Sequence, residues 1–456
     1  MSTPEDTLVA IATPPGRGGI GIVRLSGPQA LAVATPLLAL KHPLTPARAR
    51  FTHILDEQGN ILDEAVATYF ASPHSYTAED VVEIAAHGAP VLLAYLLEAS
   101  IKHGARLANP GEFTQRAFLA GRLDLTQAEA VNDLIAAQTL HQARLAAAQL
   151  GGAIARAVAP QKQALIDLIA QLEAGVDFAE DDLDLLPEAE IVSLIQSIAG
   201  PLEALANTYR NGRILREGVR LALVGRPNAG KSSLFNRLLQ QDRAIVTAHP
   251  GTTRDPIAET FGLGGIPITL IDTAGLREIA STPESEAERE GIARSRTAMA
   301  DADLILHIVD ATTLTHNALP AEDAATQSTL TGRPHLLILN KSDLTANPLQ
   351  TLYPGAIPTS ALTGFGLETL KRTIPDILIA QPTSDSALIT NLRQSQTLAE
   401  ATLALARAAQ AAQQTLPHEF LLLDLHEALA ALDALTGATT PDDILARIFA
   451  SFCIGK

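Results

Sequence analysis

Gly225–Arg226–Pro227–Asn228–Ala229–Gly230–Lys231–Ser232 satisfies the spacing G-x-x-x-x-G-K-[ST] and sits between runs of different texture. Before it, Val219–Arg220–Leu221–Ala222–Leu223–Val224 reads as a short buried strand. After it, Ser233–Leu234–Phe235–Asn236–Arg237–Leu238–Leu239 reads as the first turns of a helix. That strand–loop–helix setting gives the motif its physical meaning. Successive amide N–H groups and the positive end of the helix cradle a polyphosphate. Lys231 is placed to reach the outer phosphates and Ser232 to ligate Mg2+. The nucleotide contacts expected here run through Asn228, Ala229, Gly230, Lys231, Ser232 and Ser233.

Three further motifs narrow the nucleotide. Asp272–Thr273–Ala274–Gly275 closes the apolar run Ile268–Ile271, where a carboxylate can hold Mg2+ through water and Gly275 can approach the γ-phosphate. Asn340–Lys341–Ser342–Asp343 follows the strand Leu336–Leu339. There the Asp343 carboxylate can accept both guanine N1–H and the exocyclic amine, so adenine would leave it unpaired. Ser360–Ala361–Leu362 lies where a backbone amide would meet guanine O6. Gly251–Thr252–Thr253–Arg254, between the loop and Asp272, places Thr253 to complete the Mg2+ shell. Order and spacing together indicate a GTPase, and this region resembles the translation-factor-related GTPases.

Leu276 follows Asp272–Gly275, where Ras-like enzymes place a water-orienting glutamine. Another group must position the water and offset the developing charge. Glu288 is one candidate, and an exposed loop carboxylate is the plainer reading of it. A monovalent cation is the other. Asn228, with carbonyls along Thr247, Ala248, His249, Pro250, Gly251 and Thr252, could hold K+ beside the phosphates. A loop-stabilising role explains Asn228 equally well.

The 456 residues allow about three domains. Apolar content of 47% with 18% charged residues supports ordinary cores. The single Cys453 excludes a disulfide framework and fits a reducing cytoplasm. A lone Cys beside an apolar terminus is expected to be buried packing. The N-terminus lacks the basic and apolar regions of a signal peptide, and no transmembrane helix is expected. A net charge of −17 confines nucleic-acid contact to a local patch or to a partner.

Residues 1–118 read as an α/β domain, with strands near Thr7–Ala12, Ile20–Leu25, Ala65–Phe70 and Val81–Ala85 and a helix over Pro90–Ile101. Residues 119–216 read as helical, with one long pattern over Leu123–Leu150, another over Ala153–Leu172 and a third over Ile191–Leu205. The acidic run Asp177–Asp184 reads as a solvated loop or helix start. Residues 217–378 alternate strands and helices. Residues 379–456 return to helix, ending in Phe452–Cys453–Ile454–Gly455–Lys456. The expected fold class is multidomain α/β plus all-α: a Ras-like P-loop GTPase domain inserted into a discontinuous helical domain, after an N-terminal α/β domain.

Ala12–Gly27, Tyr76–Asp80, His87–Gly88, Asn109–Thr114 and Phe452–Lys456 resemble the MnmE (TrmE) family of tRNA-modification GTPases across essentially the whole chain. The resemblance implies that the N-terminal domain binds a folate, 5,10-methylenetetrahydrofolate or a 5-formyl-tetrahydrofolate-like form. It implies a cytoplasmic homodimer, without membrane attachment, that joins an MnmG-type FAD protein in a heterotetramer. Together they would place an aminomethyl-type group, commonly carboxymethylaminomethyl, at C5 of the wobble uridine of certain tRNAs. The tRNA contact could come mainly from the partner. The resemblance favours K+ at Asn228, Thr247, His249 (by its carbonyl) and Thr252, and Glu288 as the catalytic carboxylate. It carries the folate site onto Arg24, Glu83, Arg122 and Lys456, with Glu79 competing for the acidic role. A ribosome-assembly GTPase that switches on rRNA is the alternative reading. That class would carry a basic RNA-binding appendage after the GTPase domain, where this chain has an acidic helical half.

Overall fold

The computed structural model describes residues 6–177, 186–241, 258–272, 302–314, 318–345, 349, 353–379, 388–439 and 442–455. The chain forms two compact units. One comprises residues 1–132, 149–202 and 397–456, the other residues 133–148 and 203–396.

The first unit holds a six-stranded mixed sheet of β1 (Leu8–Ile11), β2 (Gly18–Ser26), β3 (Ala49–Leu55), β4 (Ile61–Phe70), β5 (Val81–Gly88) and β6 (Arg106–Leu107), in the order β3-β4-β5-β2-β1-β6. Alternation along each strand sets its two faces. Val9, Val23, Leu25, Val82 and Ile84 share one core with Leu93 and Leu96 of helix Pro90–Lys102. Leu8 and Ala10 point the other way, into a smaller cluster with Phe113 and Tyr76. The register sets Arg24 directly opposite Glu83, so the two side chains stand on the same face.

The helical part of this unit follows from period 3.6. Helix Ala153–Asp177 buries Leu165, Leu168, Ile169 and Leu172, spaced three and four apart. It packs on helix His418–Thr436, which buries Leu421, Leu425 and Leu432. Lys162–Asp433 at 2.5 Å and Glu173–His426 at 3.0 Å flank that seam. Glu188–Glu217 is a helical stretch long and apolar enough to cross a membrane by length and composition. Its Ile191, Ile195, Ile198 and Leu202, three and four apart, are each at most 2% exposed, the buried stripe of an amphipathic helix.

The long pattern Leu123–Leu150 is two helices, Leu125–Ala136 and Leu140–Leu150. Each start carries a reciprocal cap that periodicity alone does not reveal. Gln127 N donates to Asp124 Oδ1 and Asp124 N to Gln127 Oε1, both at 2.9 Å. Gln142 N donates to Thr139 Oγ1 while Thr139 N donates to Gln142 Oε1. Each pair satisfies donors that a helix start leaves open, so a new helix begins at Thr139.

The second unit holds β7 (Val219–Val224), β8 (Ala258–Leu263), β9 (Ile266–Asp272), β10 (Leu304–Asp310), β11 (His335–Asn340) and β12 (Ile357–Pro358). Their order is β12-β11-β10-β7-β9-β8, parallel throughout except for β8. Strand order reverses at β7, between β10 and β9, and ligands of such sheets bind beyond the carboxyl ends at that point. The phosphate loop leaves β7 there. Asp272, Asp310 and Asn340 end β9, β10 and β11 along the same edge.

Candidate functional site

In the second unit the phosphate loop runs from β7 into helix Lys231–Gln241. Gly225 has φ +154°, and a Cβ there would lie 2.1 Å from the Ile308 carbonyl oxygen of β10. Glycine is therefore required for the loop to leave the sheet. Asn228, at φ +61°, takes the left-handed conformation that Asn tolerates and stands exposed on the loop. Ser232 and Ser233 are exposed in the first helical turn. Lys231 Nζ donates to the carbonyls of Gly225 at 2.7 Å and Arg226 at 2.8 Å. The ammonium is thus held over the loop by acceptors on the loop itself.

Asn340 joins the two halves of the site. It is 1% exposed. Its Nδ2 donates to Ala229 O at 2.9 Å, and its Oδ1 accepts from Ala361 N at 3.1 Å. One side chain therefore fixes the phosphate loop against the Ser360–Ala361–Leu362 loop. The Ser360 amide donates to Phe365 O at 2.9 Å. The amides of both Ser360 and Ala361 thus have partners within the protein. Lys341, at φ +61°, points Nζ to Asp310 Oδ2 at 2.6 Å. Burial pushes the Asp310 carboxyl up, but hydrogen bonds from Lys341 and Thr312 hold it below its ordinary value. Asp343 is exposed beside Lys341. Asp310 escaped the motif reading, although its place at the end of an apolar strand, where Asp272 and Asn340 also stand on theirs, was a usable signal.

Asp272 ends β9 with its backbone paired in register to Leu223. Thr247, Ala248, His249, Pro250, Gly251, Thr252, Thr253, Thr273, Ala274, Gly275 and Glu288 lie outside the described residues, as does Lys456.

In the first unit a cavity of about 660 Å³ is lined by Phe70, Tyr76, Val81, Glu83 and Arg122 among others. That volume suits a small-molecule site. Arg24 Nε and Nη2 both lie 2.8 Å from Glu83 Oε1, and Arg24 Nη1 donates to Gly455 O at 3.4 Å. Two guanidinium groups lie over the Tyr76 ring, Arg24 at 5.6 Å and Arg122 at 5.2 Å. Arg122 Nη1 also donates to Tyr76 O at 2.9 Å. Burial pushes the Tyr76 phenol up. Tyr76 was quoted only as part of a motif, and its stacking role needs the fold.

Glu79 and Glu83 part company here. Glu79 accepts from Arg116 at 3.1 Å on both oxygens and from Ser26 Oγ at 2.7 Å. Arg116 is 3% exposed and is also bound by Asp6. Glu79 is committed to this buried network, while Glu83 lines the cavity.

The C-terminal segment is anchored to the same unit. Phe449 and Phe452 pack with ring centroids 5.5 Å apart, tilted at 49°, within the cluster of Leu123, Leu125 and Leu445. Gly455, at φ +95°, approaches Ile11 so closely that a Cβ would lie 2.6 Å from its carbonyl oxygen. Cys453 is exposed, correcting the expectation that it packs inside. The neighbouring aromatic rings fill that cluster, and the chain turns Cys453 and Ile454 outward.

Two family models match the chain: the MnmE helical domain over residues 125–453, and the GTP-binding protein TrmE N-terminus over residues 7–122. The tRNA modification GTPase MnmE of Koribacter versatilis is 52% identical over 460 residues, covering 99% of each chain. That of Aquifex aeolicus is 40% identical over 455 residues, covering 99% of this chain and 100% of its own length. Among solved structures, the G domain of the T. maritima FeoB iron transporter is similar at 30% identity. It covers 36% of this chain and 99% of its own, with a TM-score of 0.25.

Proposed function

The chain belongs to the MnmE family of tRNA modification GTPases, and on that premise we propose a K+-stimulated, dimerisation-activated GTPase acting on tRNA. With a flavoprotein of the MnmG kind it adds a carboxymethylaminomethyl or aminomethyl group to C5 of the wobble uridine. The observation that carries the reading is the joined site at the carboxyl edge of the second sheet. There Lys231, Ser232 and the amides of the phosphate loop meet a guanine-reading loop through buried Asn340.

The residues present suit the expected ligands. Lys231 binds the outer phosphates, exchanging two loop carbonyls for charged oxygens, which make stronger partners. The exposed Ser232 hydroxyl and the carboxylate of Asp272 suit Mg2+, which takes few protein ligands. The exposed Asn228 amide suits K+, with Thr247, His249 and Thr252 completing the proposed set. Thr253 is proposed as a further Mg2+ ligand. Both ions supply positive charge against the phosphates. Asp343 selects guanine, and Glu288 positions the attacking water in place of the absent glutamine.

For the folate, the cavity offers the Glu83 carboxylate to a pterin amide–amine edge and Arg122 to a glutamate tail, with Arg24, the ion-pair partner of Glu83, and Lys456 as further proposed cations. When bound, that cofactor supplies the one-carbon unit. The proposed enzyme is a homodimer in the cytoplasm, contacting tRNA largely through its flavoprotein partner.

The test is nucleoside analysis of tRNA from cells lacking the protein, complemented with wild type or Glu288→Ala. Loss of the C5 group on wobble uridine, restored by wild type alone, is expected. Unaltered wobble uridine in the deletion strain refutes the proposal.

A further inference from the structure

A file of polar groups in the second unit, with His307 and Asp323 buried at its centre, runs from β11 to the phosphate loop, and its hydrogen-bond polarity does not close. His335 Nδ1 lies 2.9 Å from Arg333 O, which can only accept, so Nδ1 carries the proton and Nε2 of the neutral ring accepts. Gln327 Nε2, 2.8 Å from that nitrogen, donates to it, leaving Gln327 Oε1 as an acceptor. His307 Nδ1 lies 2.7 Å from Oε1 and must donate. Neutral His307 then has only a lone pair at Nε2. That lone pair faces Asp323 Oδ1 at 3.8 Å.

Among the described residues neither His307 Nε2 nor Asp323 Oδ1 has another hydrogen-bond partner, and the two residues are 0% and 1% exposed. Two buried acceptors facing each other without a proton between them are costly. One proton resolves the conflict. On Nε2 it makes an imidazolium–carboxylate pair, and on Oδ1 it makes a neutral acid donating to the ring. Either form is neutral as a whole, as burial demands. Consistently, burial pushes the His307 imidazole down and the Asp323 carboxyl up.

Among the described residues, three other charged or titratable groups face the pair. His335 stands on β11 and Glu322 on helix Ala321–Thr329 with Asp323 itself. Arg226, next to Gly225 in the phosphate loop, sets Nη1 3.7 Å from Asp323 Oδ2 and Nε 3.1 Å from Glu322 Oε2.

We propose that His307 and Asp323 share one proton, and that the pair acts through Arg226 as a positioning device for the phosphate loop. The positioning half rests on reading that loop as a guanine-nucleotide cradle. With its proton the pair is neutral, and Arg226 is held mainly by Glu322, which is largely exposed and a weak partner. Without the proton Asp323 carries a buried charge and draws Arg226 toward the helix. A bound nucleotide adds negative charge, which favours the protonated pair. By linkage, nucleotide affinity falls as pH rises through the step at which the proton leaves.

The experiment uses the full-length protein labelled with 15N-histidine, the His307 signals being assigned by their absence in His307→Phe. Wild type is expected to show a step in both ring nitrogens as pH rises and the shared proton leaves. Asp323→Asn places an N–H opposite Nε2, closes the polarity and removes that step. Arg226→Met deletes a neighbouring positive charge and moves the step up by about one unit. It serves equally should the Asn variant misfold. Binding of mant-GDP to wild type is expected to weaken roughly fivefold across the step, and not in Asp323→Asn. Identical His307 titrations in wild type, Asp323→Asn and Arg226→Met overturn the shared proton. A shared proton with pH-independent mant-GDP binding overturns the positioning role. Absence of any nucleotide binding overturns the cradle and the coupling together, while the His307 titration still decides the proton.

Discussion

Replacing Asn340 tests whether one buried amide holds the two halves of the nucleotide site together. Asn340→Ala removes the bond to Ala229 O at 2.9 Å and the bond to Ala361 N at 3.1 Å. Each neutral bond contributes about 1 kcal/mol net, and the orphaned carbonyl of Ala229, a residue only 2% exposed, costs about a further 1 kcal/mol. The sum, about 3 kcal/mol, is roughly a 150-fold increase in local opening. Asn340→Asp is the sharper variant. It keeps the shape and the acceptor for Ala361 N but sets a carboxylate oxygen against Ala229 O. Were shape alone important, Asp would behave like Asn. On the polarity argument Asp is at least as disruptive as Ala. Hydrogen exchange read by mass spectrometry on peptides covering residues 226–231 and 359–366 measures both loops at once. Both are expected to exchange faster together in either variant. Wild-type protection in Asn340→Asp, or faster exchange in one loop only, would refute the bridge.

Gly225→Ala should destabilise the second unit by about 2–4 kcal/mol, because the new Cβ would lie 2.1 Å from the Ile308 carbonyl at φ +154°. Unchanged thermal resistance of fragments from residues 203–396 to pulse proteolysis would contradict this. In the first unit, burial raises the Glu112 carboxyl, but hydrogen bonds from Arg106 and from Asn109 N at 2.8 Å hold it below its ordinary 4.5. A carboxyl depressed in the native state stabilises fully above its unfolded value, so this contribution is lost as pH falls from about 4.5 through the lower native value. Glu112→Gln should therefore be less stable than wild type at pH 7 and lose less on acidification. Parallel acid-unfolding curves for the two proteins would sink the assignment.

What the sequence disclosed and what it withheld follow from the range of the interactions involved. The phosphate loop, Asn340–Asp343 and the strands around them were legible because each is a short segment whose chemistry and texture are local. Asp310 and Asn340 show the limit. Asp310 belongs to none of the quoted motifs, and its meaning comes from Lys341, 31 residues on. Asn340 was read as part of a guanine motif, yet its side chain reaches back 111 residues to Ala229. The first unit repeats the lesson. Arg24 and Glu83 are 59 residues apart and become a pair only through the register of β2 on β5. Glu79 and Glu83 cannot be told apart by spacing. They are separated by Arg116, whose burial commits Glu79 to structure and leaves Glu83 at the cavity. The split of Leu123–Leu150 at Thr139 was in principle legible, since Thr139–Leu140–His141–Gln142 carries a capping box. Helical periodicity on both sides concealed it. His307 is the extreme case. Within the apolar run Leu304–Val309 it resembles an accident of composition. Only the fixed donors and acceptors from Arg333 to Asp323 turn it into a group that must hold a proton.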